Sequence, residues 1–225
     1  MAPFLIDDVF KVNQNIHIDI KFPFVIIDNL FEDYMKIRDV FMETPAPNWK
    51  ITPDSRNFKD YYDCRQLIRS PFHFADIIQN VIKRVWDIDT YFVENTVGTN
   101  WFLQVKPKSS NYAVPHSDIE GGDVTVITYL NTEDECSGGT AFFNYLGGDE
   151  YAPPETGKCY WGDISEFEIT HRIPMKPGMT LLFPSNIYHA AWHERDFFDS
   201  PRLNIVSWFK KIKTDTSNDQ NYIYS

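Results

Sequence analysis

His116-Ser117-Asp118 sets an imidazole and a carboxylate at i and i+2, so on an extended segment both side chains leave the same face. With 6 histidines and 32 acidic residues in a chain of 225, one His-x-acid pair is expected by chance. The pair gains meaning from a further donor, His189, which follows an apolar segment and the turn Pro184-Ser185-Asn186. Two imidazoles and one carboxylate make up the facial triad of non-haem Fe(II) sites, which leaves the remaining metal positions open. On spacing alone His193 or His171 could stand in for His189. Taken singly, these two, like His17 and His73, read as hydrogen-bonded structural histidines.

Arg202 begins the segment Arg202-Leu203-Asn204-Ile205-Val206-Ser207-Trp208-Phe209, whose alternation puts Arg202, Asn204, Val206 and Trp208 on one face. An inward arginine on a β wall is costly unless a carboxylate meets it. Two partners fit: an Asp or Glu of this acidic chain, or a dicarboxylic acid held by the planar guanidinium.

The elements that must position these groups follow from periodicity. Phe22 to Asp28 reads as a short apolar strand punctuated by Asp28 or Asn29. Leu30, Phe31, Tyr34, Met35, Ile37, Val40 and Phe41 then recur at helical spacing, and a second helix is expected over Ala75 to Trp86. Between them Thr44 to Ser70 reads as a polar, aromatic loop, of the kind that either lines a binding site or covers the surface. From Asn100 the pattern turns to short strands: Trp101–Lys106, Asp123–Asn131, Gly139–Tyr145, Phe167–Ile173, Met179–Phe183 and Arg202–Phe209. In the second of these Val124, Val126 and Thr128 alternate against Thr125, Ile127 and Tyr129. Such spacing suggests a sandwich or barrel.

Length suits one domain over 1–225, with a support region at 1–99, a β core at 100–212 and a polar tail at 213–225. A content of 43% hydrophobic and 16% aromatic residues excludes a disordered chain. Apolar runs such as Phe24 to Ile27 fall far short of a membrane span, and the N-terminus shows no secretory leader. A net charge of −11 argues against a protein that lives on nucleic-acid phosphates or an anionic membrane. Cys64, Cys136 and Cys159 form neither a metal knuckle nor a disulfide framework; they read as idle thiols of a reducing, cytoplasmic setting.

In order along the chain stand His116-Ser117-Asp118, Tyr129-Leu130-Asn131, Gly138-Gly139-Thr140-Ala141-Phe142, Pro174-Met175-Lys176-Pro177-Gly178 before Leu181-Leu182-Phe183, His189, and Arg202 with Trp208. This series resembles the prolyl-4-hydroxylase branch of the Fe(II)- and 2-oxoglutarate-dependent oxygenases, over roughly Trp101 to Phe209. The resemblance implies a mainly β (α+β) fold, a double-stranded β-helix of jelly-roll or cupin-like type with N-terminal buttressing helices. It implies that His116, Asp118 and His189 hold Fe(II), and that Arg202 and Tyr129 bind the distal carboxylate of 2-oxoglutarate. Lys106 or Gln104 occupies the region where a tyrosine often touches the cosubstrate. The implied reaction uses O2 to hydroxylate an aliphatic C–H bond of a peptidyl residue, amino acid or small molecule, releasing succinate and CO2. Asp118 speaks against a halogenase, in which a small residue replaces the carboxylate. Asn144 to Thr170 is longer than in compact members and reads either as a lid or as a packed β-arm. The rival to an enzyme is a catalytically silent cupin-like module that binds a metal or ligand.

Overall fold

Strands built on alternating β-branched and aromatic side chains dominate the computed structural model, which describes residues 11–13, 15–21, 23–43, 50–52, 63–67, 75–93, 98–103, 115–147, 164–192, 194 and 202–213. In chain order they are β1 His17–Lys21, β2 Phe24–Asp28, helix α1 Tyr34–Glu43, β3 Lys50–Thr52, β4 Asp63–Leu67, helix α2 Ala75–Trp86, β5 Thr90–Phe92 and β6 Gly98–Leu103. There follow β7 Val124–Tyr129, β8 Gly139–Tyr145, β9 Phe167–Pro174, β10 Thr180–Pro184, β11 Tyr188–Trp192 and β12 Arg202–Lys211. The larger sheet runs β1-β2-β10-β7-β12-β6-β4-β3, with β5 pairing β12, and the smaller runs β11-β8-β9. Every strand pair among the described residues is antiparallel.

Period-two alternation decides which residues face which neighbour. On one face of the large sheet Val25, Ile27, Val124, Val126, Leu182, Leu203, Ile205 and Phe209 form one core with Ile37 of α1 and Ile78, Val81 and Ile82 of α2. The opposite face carries Phe24, Ile26, Ile127, Tyr129, Leu181 and Phe183, which pack against Phe142 and Ile173 of the small sheet. Phe142 sits at the join, stacked on Phe24 at 5.1 Å and edge-on to Phe183 at 5.1 Å. The site lies in this space between the sheets. Arg202, Asn204 and Val206 of β12 point into it because Leu203, Ile205 and Phe209 point at the helices.

α2 occupies the expected span, with Asp76 in its first turn and Lys83 and Arg84 in its last, each sign suited to the helix dipole. α1 begins at Tyr34, later than the helical spacing suggests. Leu30 and Phe31 are buried before the helix starts, and Phe31 is bridged to Val12. Thr44 to Ser70 is not wholly loop, since β3 and β4 lie within it and extend the large sheet beyond β6. β1, β5 and β11 were not expected. Of the Asn144–Thr170 stretch, β8 reaches Tyr145, Ile164–Glu166 forms a 3-10 turn, and Phe167 begins β9; 148–163 lie outside the described residues. Among the described residues no helix is long and apolar enough to cross a membrane.

The Gly138-Gly139 pair is demanded by geometry. Gly138 has φ +76, and a Cβ on Gly139 would lie 2.0 Å from the Ile173 carbonyl oxygen and 2.8 Å from the Met175 nitrogen. Those are backbone atoms, with no side chain to swing aside. Gly139→Ala is therefore expected to cost about 1–3 kcal/mol in chemical denaturation, the range of an overpacked core position. Cys136, close by and half-buried, has its thiol pushed up to about 11 by burial and by Glu133, Glu135 and Asp134, consistent with an idle thiol.

Candidate metal centre

Three backbone contacts build the triad. His116 and His189 form an isolated antiparallel bridge, with His116 N donating to His189 O at 3.0 Å and His189 N to His116 O at 2.9 Å. In such a pair the two side chains leave the same face. Two residues on, Asp118 N donates to Ser185 O at 2.7 Å, which ties the acid to the turn that ends β10 and launches β11. The spacing of His116 and Asp118 along one extended segment does the rest. Both carboxylate oxygens face imidazoles: His116 Nε2 is 3.7 Å from Asp118 Oδ1, and His189 Nε2 is 3.4 Å from Asp118 Oδ2. The three donor atoms lie within 4.8 Å of one another.

Donors sharing one ion at about 2.0–2.3 Å and right angles stand about 3 Å apart, so separations of up to 4.8 Å must close by up to about 1.8 Å for the three to share one. The tautomer of His189 is set for that use. Its Nδ1 lies 3.0 Å from Ile187 O, so Nδ1–H donates to the carbonyl and Nε2 is the nitrogen left toward the acid. Phe183 lies edge-on against the same ring at 4.6 Å and dries its flank.

Asp118 is fixed by a relay that the sequence did not suggest. Thr125 Oγ1 donates to Asp118 Oδ2 at 3.2 Å, and the Ser185 hydroxyl lies 2.7 Å from Thr125 Oγ1, so Ser185 donates onward. Thr125 and Ser185 are both wholly buried. Burial by itself would raise the Asp118 carboxyl. Attraction and hydrogen bonding to His189, attraction to His116 and the nearby Trp208 N–H outweigh it and hold the carboxyl at about 2. Trp208 Nε1 lends this electrostatic help without meeting hydrogen-bond geometry. The folded value is depressed, so the stability it brings to the metal-free protein is present above about pH 4. It is lost as pH falls through about 2. Gly121 lets the indole lie there, because a Cβ would meet the Trp208 ring at 2.7 Å. Thr125→Val, nearly isosteric, should lower metal affinity about 10- to 100-fold, as loss of an outer-shell partner does. A competitive Mn(II) titration reads this directly.

Further along the same interior face lies a second polar group. Arg202 is 3% exposed. Its Nη1 donates to Gly139 O at 2.6 Å, while Nη2 makes only long contacts, 3.4 Å to Tyr129 Oη and 3.5 Å to Thr140 Oγ1. Tyr129 and Thr140 hydroxyls bond each other at 2.6 Å, and the guanidinium carbon stands 5.1 Å from the Tyr129 ring centre. Among the described residues Arg202 Nε has no hydrogen-bond partner. Among the described residues no Asp or Glu pairs with this arginine. The internal ion pair that would have explained it is thus not found there.

Of the site residues expected from sequence, His116, Asp118 and His189 converge, and Arg202 and Tyr129 converge apart from them. Lys106 and Gln104 lie outside the described residues, as do His193 and His73. His171 is exposed on β9, edge-on to Phe24 and outside the triad, and His17 is exposed on β1, 3.7 Å from Asp28. No protein-family model matches the chain, and no curated protein matches it.

Proposed function

We propose that the chain is an Fe(II)- and 2-oxoglutarate-dependent dioxygenase of the prolyl-4-hydroxylase-like branch, on a double-stranded β-helix of jelly-roll type. The substrate class is an aliphatic C–H bond of a peptidyl residue, amino acid or small molecule. One observation carries the reading: the open edge of Arg202. Nε and Nη2 form one side of the guanidinium fork; among the described residues the first has no partner and the second is held only at 3.4 and 3.5 Å. A buried cation with that edge only weakly engaged, in the same interior face as a two-histidine, one-carboxylate donor set, suits a dicarboxylate that must reach a metal.

The donor set fits ferrous iron. His116, Asp118 and His189 would hold it, with Asp118 supplying one negative charge and two neutral imidazoles completing one face. Iron so bound supplies the redox chemistry that couples O2 to decarboxylation of 2-oxoglutarate and hydroxylation of substrate. The chain's own part is positional. Thr125 and Ser185 keep one Asp118 oxygen engaged, so the carboxylate cannot swing into the open positions. Ile187 O fixes the His189 ring. Gly139 O anchors Nη1 of Arg202, which leaves the Nε/Nη2 edge to orient the distal carboxylate, and Tyr129 Oη stands beside it. Phe183, Ile127 and Val206 line the interior with apolar surface and keep water from competing for these groups.

The test is oxygen uptake with succinate release when Fe(II) and 2-oxoglutarate are supplied, since uncoupled turnover precedes any knowledge of the substrate. Succinate formed in step with oxygen consumption, and lost on iron chelation, supports the enzyme. Metal binding without either would leave a cupin-like binding module as the function.

A further inference from the structure

We infer that a small apolar cavity behind His189 is a dioxygen site, from which O2 reaches the triad past the apolar side chains packed between them. The inference rests on the oxygenase reading of the triad. The cavity has a volume of about 100 Å³. Of its lining residues Phe24, Phe142 and Ile187 are buried and form the floor, while Asn144, Thr170 and His171 stand at the rim. A bulge shapes its mouth. β8 and β9 pair Phe142 with His171 and Phe143 with Ile169, so Thr170 has no residue opposite it. Among the described residues β9 is the edge of the small sheet, and His171, although opposite the buried Phe142, is exposed there.

The cavity lies one side chain from the triad. Phe142 stands directly opposite His189 across β8 and β11, so both leave the same face of the small sheet. Ile187 precedes His189 by two residues and packs with Phe142 and Phe183 in one core. Phe183 closes the gap, edge-on to Phe142 at 5.1 Å and to His189 at 4.6 Å. Size and chemistry select the occupant. An apolar cavity of about 150 Å³ stays dry and holds benzene or xenon, so one of this volume takes a smaller apolar molecule. Water finds no hydrogen bond on the side chains of the floor, and a dianion such as 2-oxoglutarate would lose its hydration there uncompensated. Dioxygen is apolar, uncharged and small enough, and it is the reactant that needs no polar contact on its way.

Xenon, which seeks the same apolar cavities, reports the site without turnover. Crystals of the native chain under xenon pressure should show xenon between Phe24, Phe142 and Ile187. Phe24→Trp, which keeps an aromatic ring and fills the cavity, should exclude it. In succinate formation driven by Fe(II) and 2-oxoglutarate this variant should raise KM for O2 about fourfold or more, the factor carried by burial of one CH2-sized group. Its kcat at saturating O2, its 2-oxoglutarate affinity and its Mn(II) affinity should stay native. His171→Trp, an exchange at the exposed rim that obstructs the mouth, should raise KM for O2 in the same way and serves if Phe24→Trp does not fold. A cavity that takes no xenon in the native chain overturns the inference, as does a native KM for O2 in either folded variant. Xenon in the cavity of a native chain that consumes no O2 with Fe(II) and 2-oxoglutarate overturns the oxygenase reading instead.

Discussion

Asp118→Gly is expected to abolish 2-oxoglutarate turnover, by more than the roughly 10- to 100-fold that loss of an outer-shell partner costs. The carboxylate is the only anion in the donor set, and both its oxygens face histidine nitrogens at 3.7 and 3.4 Å. Glycine leaves two neutral imidazoles, an anion-sized gap, and a Thr125–Ser185 relay with nothing to accept its proton. Residual metal binding through His116 and His189 should survive in weakened form, with a small anion from solution able to enter the gap. His116→Ala should lose the metal more completely, because a softer nitrogen donor is removed while the acid remains for harder ions. Metal content after dialysis and single-turnover succinate yield measure the two effects separately. Full activity in Asp118→Gly would remove the triad from the account.

Arg202→Ala should weaken 2-oxoglutarate by roughly tenfold to several hundredfold and spare the metal, since charge-assisted hydrogen bonds contribute about 1.5–3 kcal/mol each. Tyr129→Phe should act in the same direction with a smaller effect, because its hydroxyl already bonds Thr140 at 2.6 Å and reaches Nη2 only at 3.4 Å. The free protein should respond in the opposite sense. Arg202 is a buried cation without a carboxylate among the described residues, and burying a charge without a full set of partners is costly. Arg202→Met, which fills a similar volume, should therefore raise the melting temperature of the unliganded protein while removing the rise that 2-oxoglutarate gives the native chain. A simple loss of stability in Arg202→Met, with 2-oxoglutarate affinity kept, would make the arginine a structural bridge.

The His116 and Asp118 pair was legible because its spacing is local, whereas His189, 71 residues beyond Asp118, was set apart from His171 and His193 only by its place after the apolar segment and by the family resemblance. His116 and Asp118 need only an extended segment between them, and β7 could be split into faces from its own alternation, which puts Thr125 on the side of Tyr129. What Thr125 would touch was not legible, since Ser185 is 60 residues away and belongs to a turn. The anchor of Arg202 was hidden for a similar reason: it is a backbone carbonyl 63 residues distant, and carbonyls carry no sequence signature. β11 escaped notice because Ala190 and Ala191 have little β-propensity, and the strand exists by pairing with β8. β3 and β4, Lys50-Ile51-Thr52 and Asp63-Cys64-Arg65-Gln66-Leu67, are too short and polar to read as strands, and again pairing overrides composition. α2, by contrast, declares itself through one uninterrupted apolar stripe and charges suited to each end.

Anaerobic titration of 2-oxoglutarate into the Fe(II)-loaded protein, followed by its metal-to-ligand absorbance, tests the central claim most directly. The expected result is a saturable visible band with one equivalent of acid per iron, absent without iron and shifted to much higher concentration in Arg202→Ala. Iron that binds at His116, Asp118 and His189 while 2-oxoglutarate produces no band at any concentration would contradict it.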